Sequence, residues 1–164
     1  MILEFSNQQV KTFIEAFEKE LLAAPRHKID FSNRWSNTVD KKAGVYFIFA
    51  KDVLVYIGET ANLYKRMGEI GRTYNHSFRK KLGKRLQPNA VILKEERTYS
   101  LELETLLTSY CNSNISVACK PLAFGRLEVE SYLIHKYTKL DKEQGIKNLL
   151  NSVGKRNSIP TFEE

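Results

Sequence analysis

Residues 43–50 read AGVYFIFA and residues 53–58 read VLVYIG, with only Lys51 and Asp52 between them. Both stretches are rich in β-branched and aromatic side chains and too short for helices, so they predict the two strands of a hairpin. Tyr46 and Tyr56 sit symmetrically about Lys51. With the turn centred there, the tyrosines pair directly across the strands. The period of two then puts Tyr46, Ile48, Leu54 and Tyr56 on one face. Two phenols emerge side by side just before Gly58, where the chain can turn tightly or approach a ligand closely. A one-residue slip destroys this arrangement. The competing reading is aromatic core packing with locally bonded hydroxyls.

On the N-terminal side, Val10, Phe13, Ile14, Phe17 and Leu21 recur at helical spacing and predict a helix from about Asn7 to Leu22, capped by Ser6 or Asn7. A polar connection with Pro25 and Asn33 to Asn37 follows, and Trp35 is expected to pin it to the core. Beyond the hairpin, helices are expected near 61–70 and 77–86, and a third strand over NAVILK (89–94). A helix over LELETLLTSYCN (101–112), a strand over ISVACKPL (115–122) and a last helix over RLEVESYLIHKYTKL (126–140) follow. The tail, rich in Asn, Ser, Gly and Lys, is expected to wrap the surface. These elements predict an α+β fold, a small, mainly antiparallel β-sheet opened by the tyrosine hairpin and flanked by α-helices. Residues 1–40 read as an N-terminal helix and connecting arm ahead of a main unit over 41–164.

At 164 residues and 42% hydrophobic content the chain suits one domain with its own core. No stretch approaches the roughly 18 to 20 apolar residues of a membrane span. The first 22 residues are too charged for a signal peptide, so a cytoplasmic setting is expected. Cys111 and Cys119 have no metal-ligand spacing and read as reduced thiols. The net charge of +7 is unevenly placed. Residues 61–90 carry eight basic side chains against Glu69 alone, so the rest of the chain is balanced. Such a segment suggests a polyanion-facing surface, with nucleic acid leading and a solvated helix face as the alternative.

Two charged residues and a histidine stand out within this frame. Leu63, Met67 and Ile70 mark the buried side of the helix after the hairpin, with Arg66 near its edge. A planar, permanently charged guanidinium can grip two phosphate oxygens and offset charge developing in phosphoryl transfer, or simply form a surface salt bridge. In the last helix Leu127, Ile134 and Tyr137 lie at −3, +4 and +7 from Glu130, so Glu130 interrupts an apolar stripe, while Glu128 faces solvent. A carboxylate there carries a desolvation cost unless it is paired, for instance with Arg66, or binds a cation. His76, at a predicted helix start, can orient water, contact a phosphate or cap the helix. His27 and His135 have no companions that suggest a site.

Gly44-Val45-Tyr46 followed by Tyr56-Ile57-Gly58 resembles the paired signature of the GIY-YIG nuclease family, with valine in place of the first isoleucine. The resemblance continues through Glu59-Thr60-Ala61-Asn62-Leu63, Arg66, a basic helix and Glu130-Ser131-Tyr132-Leu133-Ile134, spanning about Ala43 to Asn151. It implies a GIY-YIG-like fold and a small stand-alone, restriction-endonuclease-like enzyme that hydrolyses phosphodiester bonds in DNA. It further implies one divalent cation on Glu130, magnesium with manganese as the alternative. Tyr56 is then expected to deprotonate the attacking water, directly or by way of the metal, and would need cationic neighbours to do so. Tyr46 would position water or phosphate, and Arg66 would offset charge. His76 and Asn151 (or Asn148) are the remaining candidates for the catalytic set. Lys65, Arg72, Arg79, Lys80, Lys84 and Arg85 are expected to contact DNA phosphates. A homo-oligomer on a symmetric DNA site is the expected assembly. A catalytically silent nucleic-acid-binding module and an RNA-directed nuclease remain as alternatives.

Overall fold

The computed structural model describes residues 4–31 and 34–153; residues 1–3, Ser32 and Asn33 of the connection and the tail from 154 to 164 lie outside the described residues. Strands β2 (Gly44–Ala50) and β3 (Val53–Thr60) form the expected hairpin. Lys51 and Asp52 both take positive φ, 47° and 69°, the geometry of a two-residue turn whose twist matches antiparallel strands. Ala50 pairs with Val53 and Phe49 with Leu54, but the register then shifts, so that Ile48 faces Tyr56 and Tyr46 faces Gly58. Val55 is the extra residue of a bulge. The direct Tyr46–Tyr56 pairing is therefore corrected, because the turn centre lies after Lys51 and the bulge adds a further step. Leu54 also changes sides. It packs with Phe47 and Phe49, while Val55 and Tyr56 both join the face of Tyr46 and Ile48.

The hairpin is half of a four-stranded antiparallel sheet of order β1-β4-β2-β3, with β4 over Ile115–Pro121 and β1 over His27–Lys28. The two-residue β1 has no hydrophobic signature and was not expected. Helices cover both faces, giving an α+β fold. On one face Tyr46, Ile48 and Tyr56 pack against α2 (Leu63–Glu69), α3 (Ser77–Leu86) and α4 (Leu101–Asn114) through Leu63, Met67, Phe78 and Leu103. On the other, Val45, Phe47, Phe49 and Ile57 meet α1 (Asn7–Ala23) and α5 (Arg126–Glu143) through Phe17, Leu21 and Leu133. Ser6 and Gln9 close a reciprocal capping box at the start of α1. Phe13, placed on the buried stripe from its spacing, is largely exposed. Trp35 packs against the first core, as expected.

The segment 89–94 is not a strand. Val91 and Leu93 point to solvent while Ala90 and Ile92 touch the core, so its alternation is that of a loop lying on a surface. The sheet edge offered by β3 is taken by the tail instead: Leu150 N–H donates to the Val55 carbonyl (2.7 Å), and the Asn151 amide both accepts from and donates to the Ile57 backbone (2.8 Å each). Backbone groups satisfied in this way leave nothing for a further strand to pair with. Among the described residues no helix is long and apolar enough to cross a membrane.

Candidate active site

The shifted register decides how the two phenols meet. Tyr46 stands opposite Gly58, and a Cβ on Gly58 would collide with the Tyr46 ring. The bare glycine lets that ring lean along the strand toward Tyr56, two residues away. The rings lie 6.3 Å apart at 22°, roughly stacked. Gly58 is thus required for close approach of a side chain within the site, rather than for a turn.

α2 begins where Asn62 accepts the Lys65 N–H with its side chain (2.9 Å). Leu63 and Met67 are fully buried, which sets Arg66 on the flank toward the hairpin. Arg66 Nε donates to the Tyr46 hydroxyl (3.4 Å), and Nη1 reaches the Asn75 carbonyl (3.0 Å) and Glu69 (3.4 Å). His76 caps α3, its Nδ1 accepting the Phe78 N–H (3.2 Å). That bond places the ring proton on Nε2, which lies 3.1 Å from the Tyr46 hydroxyl. Burial, reinforced by the Arg66 charge, lowers the His76 pKa well below its ordinary 6.5, so the neutral Nε2–H tautomer persists at physiological pH. The Tyr46 oxygen therefore accepts from both His76 and Arg66, and its own proton must be donated elsewhere.

Neither phenol is poised as a base. Burial raises the Tyr46 pKa, the neighbouring Tyr56 raises it further, and Arg66 offsets only part of this. For Tyr56 burial again dominates; the Ser77 hydroxyl bond and Arg66 pull it down, yet the result remains above 10. Arg66 does act on Tyr56 in the direction that a base needs, but desolvation outweighs it. Tyr46 is 1% exposed, Tyr56 6% and His76 fully enclosed, whereas the Arg66 side chain is 24% exposed. Access from solvent thus comes through the arginine.

Glu130 approaches from the opposite layer. It is half-buried, and its carboxylate accepts the Glu59 N–H at 3.1 Å. Its charge raises the pKa of both phenols, so α5 and the tyrosine face share one electrostatic neighbourhood. The stripe that singled it out is different in detail: Leu127 is 55% exposed, and the buried seam runs through Val129, Leu133 and Ile134. Glu130 lies beside that seam instead of interrupting it. Glu128 is exposed, as expected. Sequence reasoning missed two neighbours: Ser77 at the Tyr56 hydroxyl, and Arg126, whose Nε donates to Glu59 at 3.0 Å. The Ser77 position, next to His76, was available as a signal; the Arg126–Glu59 pair, 67 positions apart, was not.

The expected phosphate contacts divide. Lys65, Arg72, Lys84 and Arg85 are exposed and Lys80 is half-buried. Arg79 is corrected outright. It is 1% exposed and forms an internal ion pair with Glu104 (3.0 Å), with further bonds to Thr73, Thr108 and the Glu104 carbonyl. Its position on the inner face of α3, over Phe31, sends it into the fold. Arg85 remains at the surface but holds the Asn148 and Leu149 carbonyls of the tail. Asn148 meets Arg85 through its backbone carbonyl, and Asn151 serves the β3 edge behind Tyr56. Among the described residues no three His, Cys, Asp or Glu side chains cluster as a metal site. Compared with protein-family models, curated proteins and solved structures, the chain matches none.

Proposed function

We propose that this protein is a metal-dependent endonuclease of the GIY-YIG type, hydrolysing phosphodiester bonds in DNA. The observation that carries the reading is the convergence of Tyr46, Tyr56, Arg66 and His76 on one cluster within the electrostatic reach of Glu130. Four elements and the turn before α3 contribute to it. In that role Arg66, the solvent-facing member, receives a phosphate oxygen and offsets charge in the transition state. Tyr46, accepting two hydrogen bonds, donates its own proton to the water or phosphate. His76 acts behind it, fixing the phenol's orientation with a neutral N–H.

A divalent cation fits Glu130 chemically. One half-buried carboxylate beside the hairpin suits magnesium, which keeps several waters and takes its other ligands from substrate phosphate. When bound, the ion would supply Lewis-acid stabilisation of the leaving oxygen. Glu59, engaged by Arg126, frames the same end of the site.

One observation favours a second reading, a nucleic-acid-binding module without activity. Both phenols are enclosed and hold their protons. Incubating purified protein with plasmid and with single-stranded DNA in magnesium, beside Glu130→Gln and Arg66→Ala, separates the two. Cleavage by the parent chain and its loss in both variants is the expected outcome. Binding without cleavage on either substrate leaves the silent module, and preferential cutting of RNA in the same assay redirects the substrate assignment.

A further inference from the structure

A groove of about 620 Å³ opens between α3 and the returning tail, away from the tyrosine cluster. Lysines 80, 81 and 84 with Arg85 line its α3 side and Lys147 the tail side, and none of its lining residues is acidic. Its floor is apolar, built largely from Ile92 and Leu150, both partly buried against the first core. The wall is held in place by its own cations: Lys81 bonds the Ser152 hydroxyl (3.0 Å) and Arg85 the tail carbonyls. Burial lowers the pKa of Lys81, and an anion beside it would favour the charged form.

Positive rim and apolar floor together select the ligand. A duplex offers phosphates to the rim, but its stacked bases leave Ile92 and Leu150 uncovered. An unpaired strand offers phosphates to the lysines and a base to the floor. α3 connects this groove to the candidate active site, since His76 caps its first turn and Lys84 lies roughly 12 Å further along its axis. We infer that this groove holds a single-stranded stretch of nucleic acid leading toward the Arg66 cluster, an inference that rests on the nuclease reading and narrows its substrate to DNA with an unpaired segment.

The test is fluorescence anisotropy in EDTA, with a labelled 20-nucleotide single strand and the blunt duplex of the same sequence. The single strand is expected to bind about tenfold more tightly, the scale of one base contact. Ile92→Ser should reduce that preference toward unity with duplex affinity retained, its folding checked by thermal melting. Lys147→Glu, at an exposed position on the rim, should weaken both ligands, because both present phosphates to it. Equal or tighter duplex binding, a preference untouched by Ile92→Ser, or a single-strand affinity untouched by Lys147→Glu overturns the inference. The readout needs no cleavage: an inactive protein that still prefers the single strand removes the nuclease reading and leaves the groove, whereas active cleavage of duplex with no preference does the reverse.

Discussion

Arg66 and Arg79 come from the same basic segment and look alike in it, yet the fold treats them oppositely. Arg79 is sealed inside, where Glu104, Thr73 and Thr108 hold its Nε and Nη2 while Nη1 is buried without a partner. Arg66 is about a quarter exposed, reaches a phenol and a carbonyl, and has in Glu69 a partner only at 3.4 Å. A buried cation must be compensated by the protein, because desolvation would otherwise exclude it. One left partly exposed with longer contacts retains capacity for an incoming anion. A basic segment therefore marks where cations are and says nothing of which ones are available.

The largest expected effect is on the Arg79 side of this comparison. Arg79→Ala leaves the Glu104 carboxylate without its cation and should cost about 3–5 kcal/mol of folding stability. At about 2–4 °C per kcal/mol, thermal denaturation would show a fall of roughly ten degrees. Arg66→Ala should shift the same melt far less; comparable losses would erase the distinction. Activity should invert the order. Arg66→Ala is expected to reduce DNA cleavage by about 100- to 1,000-fold, the scale seen on removing a transition-state donor, measured as initial rates on plasmid at saturating magnesium.

A steric change on the tyrosine face comes next. Gly58→Ala forces the Tyr46 ring off its position and should destabilise by about 1–3 kcal/mol. In the proposed enzyme it should also lower cleavage with DNA affinity largely kept. A variant as stable and active as the parent would sink the claim that Gly58 makes room for the phenol. Replacing Asn151 by Ala removes two bonds to the Ile57 backbone and should cost about 1 kcal/mol, with tail protection against hydrogen exchange reduced at Leu150.

Acid should separate the two regions by pH window. His76 is held below its ordinary 6.5 in the fold, so below that pH the unfolded chain takes up a proton that the folded chain refuses, and stability falls. His76→Asn, which keeps a helix cap, should flatten the denaturation midpoint between pH 7.5 and 5.5. Burial alone would raise the Glu104 carboxyl, but bonds from Thr73, the Tyr99 N–H and Arg79, with the Arg79 charge, bring it below its ordinary 4.5. Its contribution is therefore complete above 4.5 and is lost only as pH falls further through the folded value. A single acid transition in the parent chain, left unchanged by His76→Asn, would show that the windows are not separate.

Much of this architecture was legible in the residues. The five helices, the hairpin and the strand over ISVACKPL were read from periodicity and propensity, because those signals are local and each element buries one face. The burial of Leu63 and Met67 and the capping by Ser6 were readable for the same reason. Arg66, His76, Tyr46 and Tyr56 were identifiable as candidates by residue type and motif. Their meeting through the Nε and Nε2 hydrogen bonds was not, since it joins positions 20 and 30 apart. β1 and the tail pairing on β3 were equally silent, because two-residue pairings leave no periodic trace and depend on which sheet edge is open. The register was fixed by backbone geometry at Lys51 and Asp52 and by the Val55 bulge. The fate of each basic side chain was set by whether an acid 25 residues away, such as Glu104, came within reach. Sequence determined the elements and the chemical vocabulary; tertiary packing, through desolvation and long-range contact, decided which of those groups face one another and which face solvent.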